Sequence, residues 1–292
     1  MMPQLIHILG LPFLMCLIMG IILGYFGIHV LKREVIFIDI AVAQVAAVGS
    51  IAAHLIFGVE EDQLISYLFS LGCVLLIAAF YAAARSKVVQ ISIETVIGIS
   101  YAITAAGAMF LIGIAPGHAH AEEMLAGRLL WVTWSHIILC LIVFSFVASC
   151  LYVFRKPLSR ISENHENAIA QGRNVMWWDF VFYALLGVVI TVAVRVTGVV
   201  TVFSFLIIPA TISALFSKSW GVRMFLALAA ITVASLGGLI FAYFFDFSIG
   251  PAIALFLGAV LVISSLLARF TRSSEVKLPN EDRLVPGRNQ MT

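Results

Sequence analysis

The sequence predicts an all-α, polytopic transmembrane bundle, and three observations carry that prediction. Hydrophobic residues make up 62% of the 292-residue chain and charged residues only 11%, a balance no soluble core can hold without coating its own surface in Leu, Ile and Phe. Mean hydropathy is +1.10. The apolar residues fall in nine separate stretches, most of them about twenty residues long, the length of a helix that crosses the hydrocarbon layer. Lipid cannot satisfy backbone N–H and C=O groups, so a span must be a helix or a closed barrel. Continuous apolar runs such as 137–154 lack the alternation of barrel strands.

The expected spans are 8–30, 36–57, 64–84, 93–114, 133–154, 178–196, 198–217, 222–245 and 250–268, giving a bundle of eight or nine helices. The first has no basic segment before it and ends at Lys32 and Arg33 without a small-residue cleavage site, which argues against a removable signal peptide. Short loops rich in Lys and Arg stay cytoplasmic. With the N-terminus outside, all of the 17 basic residues except Arg128 and Arg195 fall on the inner side, while Glu60, Glu61, Asp62, Glu122, Glu123 and Asp246 gather on the other. The net charge of +2 therefore reports topology and says nothing of nucleic acid. Cys16, Cys73, Cys140 and Cys150 lie inside spans without CxxC spacing and read as small packing residues.

The transmembrane domain covers 1–270, and the tail 271–292 has the composition of a disordered cytoplasmic extension. The cytoplasmic segment 155–177 is the largest surface offered to an inner partner. A short helix is expected in it, with Ser162 as N-cap and Gly172 as its stop. Pro209 inside its span and Gly250-Pro251 at the start of the last suggest interrupted helices. Gly98, Gly107, Gly113, Gly237, Gly238 and Gly258 offer close helix approach or local unwinding. Broken helices at membrane depth line cavities in transporters and channels.

Ionisable residues within spans are the candidates for function. Asp39 reads either as a pathway residue, with Gln44 as a polar neighbour, or as a residue near the cytoplasmic interface paired with Lys32, Arg33 or another chain. Glu94 has the same two readings, with Arg85 and Lys87 close in sequence. His54, His29 and His136 read first as packed, hydrogen-bonded histidines, and His54 is kept as a pathway candidate. Between the fourth and fifth spans, His118, His120, Glu122 and Glu123 stand at three- and four-residue spacings, able to share helix faces, and their donors suit zinc, manganese or ferrous iron. They form a candidate external capture site, set against an ordinary solvated loop.

Several segments in order resemble one family. GYFGIHVLKREVIFIDIAVAQVAAVG is similar to a glycine-rich span, a basic pair and a helix that carries Gly-Asp-Ala-Leu-Ser-His-Ala in the family. Residues 93–98 resemble its acidic-residue-then-Ile-Gly segment. LAGRLLWVTWSHI is similar to its Phe-Gly-Asn-Ile-Leu-Trp-Val-Ser motif, and TGVVTVFSFLIIPATISALFSKS followed by GPAIALFLGAVLVISSL is the strongest match. These segments resemble the permease subunit of ABC importers for divalent metals such as manganese, zinc or iron.

The resemblance implies a type II importer-like bundle working as a homodimer on two ATP-hydrolysing subunits, with a separate extracellular or periplasmic metal-binding protein, in the bacterial cytoplasmic membrane. No cofactor is expected on this chain; ATP and magnesium would sit on the partner, since no Gly-x-x-x-x-Gly-Lys-Ser/Thr loop occurs here. Ser162, Glu163, Glu166, Ala168 and Gly172 correspond to the family's coupling helix, which docks on the ATPase. The family's Asp and His, four residues apart on one helix face, can share one cation. Here the matching positions are Ile40 and Gln44, and Asp39 is about 140° around an ideal helix from Gln44. A permease for a larger chelate such as a siderophore, haem or cobalamin is the alternative. An intramembrane metalloenzyme would need a His-Glu-x-x-His-type set within a span, which is missing. A gated channel would differ in needing no ATPase.

Overall fold

The computed structural model describes residues 2–59, 63–87, 91–114, 129–163 and 174–273. The chain runs through α1 (Met2–Arg33), α2 (Ile38–Phe57), α3 (Leu64–Lys87), α4 (Ile93–Ile114), a 3-10 turn at Leu129–Trp131, α5 (Trp134–Val153), α6 (Arg155–Glu163), α7 (Val175–Thr197), α8 (Val199–Phe216), α9 (Trp220–Phe245) and α10 (Ile249–Ser273). All of the α-helices but α6 are long and apolar enough to span a membrane, giving nine candidate spans among the described residues. The all-α architecture read from hydropathy is therefore the one observed.

The ends of the helices follow local chemistry. Thr133 and His136 form a reciprocal capping box at the start of α5, and the Asn174 side chain accepts from the Trp177 backbone N–H at the start of α7. Gly58 closes α2 with φ 64°, returning its N–H to the His54 carbonyl. Gly198, at φ 80°, is the single residue between α7 and α8, a reversal that a side chain would oppose.

The helices form two packed groups. In one, α2 packs on α3, α4 and α7, and α3 packs on α7; in the other, α8 packs on α1, α9 and α10, and α9 on α1 and α10. They meet where Phe26 of α1, Phe182 and Leu186 of α7 and Phe205 of α8 are fully buried, with the Phe26 and Phe182 ring centroids 5.5 Å apart. Helix α5 bridges α1 and α7, and α6 folds back against α1, α5 and α7.

Lipid supplies no hydrophobic drive between helices, so close backbone approach and dispersion must hold the groups together. Gly27 lets α1 lie directly on the Leu206 carbonyl of α8, where any Cβ would collide with backbone. Gly238 does the same between α9 and α10, since a Cβ there would stand 2.7 Å from the Ile253 Cα. Of the glycines expected to allow close approach, Gly237 and Gly238 do so; Gly98, Gly107, Gly113 and Gly258 face open space. The expected interruptions do not occur either. Helix α8 continues through Pro209 and α10 begins at Ile249, with Pro251 in its first turn, where a missing N–H breaks no bond.

Candidate functional site

Helix α2 has two unlike faces. Ile40, Gln44, Ala47, Val48, Ile51 and Leu55 are half-buried and follow three- and four-residue steps, making one stripe accessible from outside the chain. Asp39, Val42, Ala46, Gly49 and Ala53 point into the bundle, and Asp39 is only 1% exposed. Asp39 and Gln44 therefore do not share a face. Ile40 and Gln44 share the accessible one.

Asp39 is not paired with Lys32 or Arg33. Its Oδ1 accepts from the Ile40 backbone N–H at 2.9 Å, in the first turn of α2, where helix N–H groups favour a carboxyl. Its Oδ2 is buried without a hydrogen-bond partner. Glu94 does not take up Arg85, and the Lys87 side chain lies outside the described residues; the Glu94 Oε1 accepts from the Ile36 backbone N–H at 2.9 Å, tying the start of α4 to the α1–α2 link. His54 is the packed histidine expected, its Nδ1 2.8 Å from the Val59 carbonyl.

Arg33 goes elsewhere, into a buried cluster that sequence reading missed. Its Nη1 donates to Asp179 Oδ1 at 2.6 Å, both side chains being fully buried. Arg85 of α3 stands 3.7 Å from the second Asp179 oxygen and donates to Tyr183 Oη at 3.0 Å. Arg33 Nε donates to Ser162 Oγ at 2.8 Å, and Ser162 also faces His29 Nδ1 at 3.1 Å. One carboxylate and two guanidiniums thus knit α1, α3 and α7 at the cytoplasmic end. Ser162 fastens α6 to the same cluster. The available signal was Asp179 itself, an acid just inside a span among Trp177, Trp178 and Phe180, which merited the attention given to Asp39.

Ser162 is not an N-cap. It lies in the last turn of α6, where its hydroxyl donates to the Leu158 carbonyl at 2.8 Å, so the helix ends near where one was expected to begin. The backbone of Glu163 completes α6. Glu166, Ala168 and Gly172 lie outside the described residues, as do His118, His120, Glu122 and Glu123. Among the described residues no three His, Cys, Asp or Glu side chains converge to hold a metal ion, and all four cysteines are free thiols.

At the opposite end of the bundle, Arg195 of α7 donates through Nη2 to the hydroxyls of Ser50, Ser66 and Ser70, at 3.3, 3.2 and 2.9 Å. Its guanidinium carbon stands 3.9 Å from the Tyr67 ring centroid. The two clusters pin α3 and α7 at both membrane faces, with α1 joined at the inner one and α2 at the outer one.

Comparison with known proteins places this architecture. The sequence profile of the ABC 3 transport family matches residues 6–268. Manganese transport system membrane protein MntC of Listeria monocytogenes is 27% identical over 259 residues, 85% of this chain and 86% of that protein. Manganese import system permease protein ScaB of Streptococcus parasanguinis is 24% identical over 274 residues, 93% and 95% of the two chains. The solved structure of PsaBC from Streptococcus pneumoniae in complex with Fab superposes with a TM-score of 0.78 at 24% identity, covering 95% of this chain and 100% of that one. That likeness is one of fold. The nine apolar helices and these relatives make the chain a multi-pass protein of the bacterial cytoplasmic membrane. The family recognised from sequence is the family found: this chain belongs to the ABC 3 transport family, as its membrane-spanning permease.

Proposed function

We propose that the chain is the permease subunit of an ATP-driven importer that carries a divalent transition-metal ion, manganese, zinc or iron, into the cytoplasm by alternating access. The observation that carries this reading is the family match over residues 6–268 together with relatives of equal length named for manganese transport. Two copies would enclose the pathway, with the accessible stripe of α2 turned toward it and Gln44 as its polar contact. Asp39 would act from behind that stripe, and Glu94 and His54 would hold the two ends of α2 in place. His118, His120, Glu122 and Glu123 would collect cation at the outer mouth.

ATP hydrolysis, with its magnesium, would come from a separate subunit docked against the segment that starts at α6 and includes Ser162, Glu163, Glu166, Ala168 and Gly172. Because Ser162 is bonded to Arg33, and Arg33 to Asp179, a displacement of α6 would reach α1 and α7 without passing through a loop. An external binding protein would deliver the metal. Reconstitution into vesicles with the cognate ATPase and binding protein tests the reading: manganese, zinc or iron should accumulate only with ATP, and accumulation without the ATPase would overturn it.

A second reading has its own observation. By the sequence resemblance, the face that would carry the family's carboxylate and imidazole carries Ile40 and Gln44 here, one side-chain donor instead of three. A cargo wrapped in a chelator needs no charged protein ligand, as bare transition ions do. In the same vesicles, uptake of a siderophore, haem or cobalamin complex that free metal fails to compete would favour this second reading.

A further inference from the structure

We propose that the groove between α1, α5, α6 and α9 at the cytoplasmic end is a binding site for an anionic phospholipid of the inner leaflet. The groove encloses about 740 Å³, within the range of sites that hold small molecules. Its composition is graded along the membrane normal. On α1, Ile21, Tyr25 and His29 line it at four-residue steps, about 12 Å from first to last at helical rise. The apolar end lies toward the bilayer interior, with Leu151 of α5 and Met224 of α9 opposite.

The cytoplasmic mouth is basic. Arg155 and Lys156 open α6 there, and both are exposed. Among the described residues that line it, none is an aspartate or glutamate. The Arg155 guanidinium carbon is held 4.6 Å from the centre of the Tyr152 ring. Trp220 forms the far wall, its ring 5.3 Å from Tyr25 and 4.9 Å from His29. The ammonium of Lys32 lies 5.5 Å from the Trp220 ring.

Aromatic rings at headgroup level, cations above them and aliphatic side chains below reproduce the order of a phospholipid's own parts. A soluble anion would use the mouth and leave the apolar floor wet. An uncharged lipid would fill the floor and leave Arg155 and Lys156 without a counter-ion. A lipid with a phosphodiester and a net negative headgroup satisfies both. Its place in the bundle also gives it a consequence, because the groove is walled by α6, the helix that Ser162 fastens to α1 and α7. An occupant braces α6 against α1 and α9.

Native mass spectrometry of the full-length permease, stripped of lipid and titrated, provides the test. The probes are phosphatidylglycerol, phosphatidylcholine of the same acyl chains, and glycerol 3-phosphate. Phosphatidylglycerol should be retained in preference to phosphatidylcholine, and glycerol 3-phosphate should not compete. Each basic residue near a membrane surface contributes about fivefold in affinity for an anionic lipid, so Arg155→Ala with Lys156→Ala should weaken retention roughly 25-fold. Arg155→Lys with Lys156→Arg should restore it. Equal retention of the two lipids, competition by glycerol 3-phosphate, or an alanine pair that binds as wild type would overturn the proposal. Ala148→Trp, which fills the exposed floor and keeps both charges, should also abolish retention; full retention in that variant would overturn it too.

Discussion

Arg33 and Arg195 both place a guanidinium in a membrane span, and the molecule stabilises them by different means. Arg33 is 3% exposed and meets a carboxylate, Asp179, at 2.6 Å. Arg195 is half-buried and meets three serine hydroxyls and the face of Tyr67. The first is an ion pair shared by two cations, since Arg85 also faces Asp179. The second is a neutral solvation shell built from side chains. Removing one partner of a buried ion pair leaves a charge uncompensated in low dielectric, whereas removing a cation from hydroxyls leaves groups that can bond one another. The cytoplasmic cluster should therefore be the more brittle of the two. It is also the one that holds α6.

The largest expected effect follows directly. Asp179→Asn should destabilise the detergent-solubilised protein by about 3–5 kcal/mol, because Arg33 has no route to water. Loss of most folded protein in a thermal unfolding series would register it. Arg195→Met should cost less, about 1–2 kcal/mol, since Ser50 and Ser66 already stand 2.9 Å apart and can satisfy each other. An Arg195→Met variant less stable than Asp179→Asn would break the contrast between the two ends.

Ser162→Ala sharpens it further. The hydroxyl receives the Arg33 Nε–H and donates to the Leu158 carbonyl, so its loss should cost about 1 kcal/mol of stability. If α6 transmits the ATPase stroke through Arg33, the same variant should lower ATP-driven uptake by more than its stability accounts for. Uptake that tracks the folded fraction alone would make Ser162 a fastening and no part of the drive.

How much of this was legible in the sequence depended on whether a property was local. Span lengths were: 93–114 and 64–84 were read within a few residues of α4 and α3, because twenty apolar residues bounded by polar ones fix a helix without reference to neighbours. Partners were not. Glu94 was set beside Arg85 and Lys87 on sequence distance, yet α4 turns it to Ile36, while Arg85 crosses to α7. Pro209 suggested a break that the surrounding helix absorbs, because one missing N–H inside a packed span costs less than unwinding it. The α2 pair was half legible. Helical periodicity separated Asp39 from Gln44, and only packing decided which of them looks inward.

That last division supports the smallest effect, and one that separates the ends of the molecule from its middle. Gln44→Leu keeps volume on a half-buried stripe and should change stability by less than about 0.5 kcal/mol. Asp39→Asn replaces a carboxyl whose Oδ2 has no partner, so it too should leave the fold intact. Transport tells them apart. With Gln44 on the accessible face, Gln44→Leu should lower uptake several-fold, and Asp39→Asn, acting from behind, should lower it less. The reverse order would mean that α2 turns or unwinds during transport to bring the buried carboxyl to the pathway. Two contacts would then be the fixed points about which it moves, since Ser50 of α2 is held by Arg195 at one end and Ile36, just before α2, by Glu94 at the other.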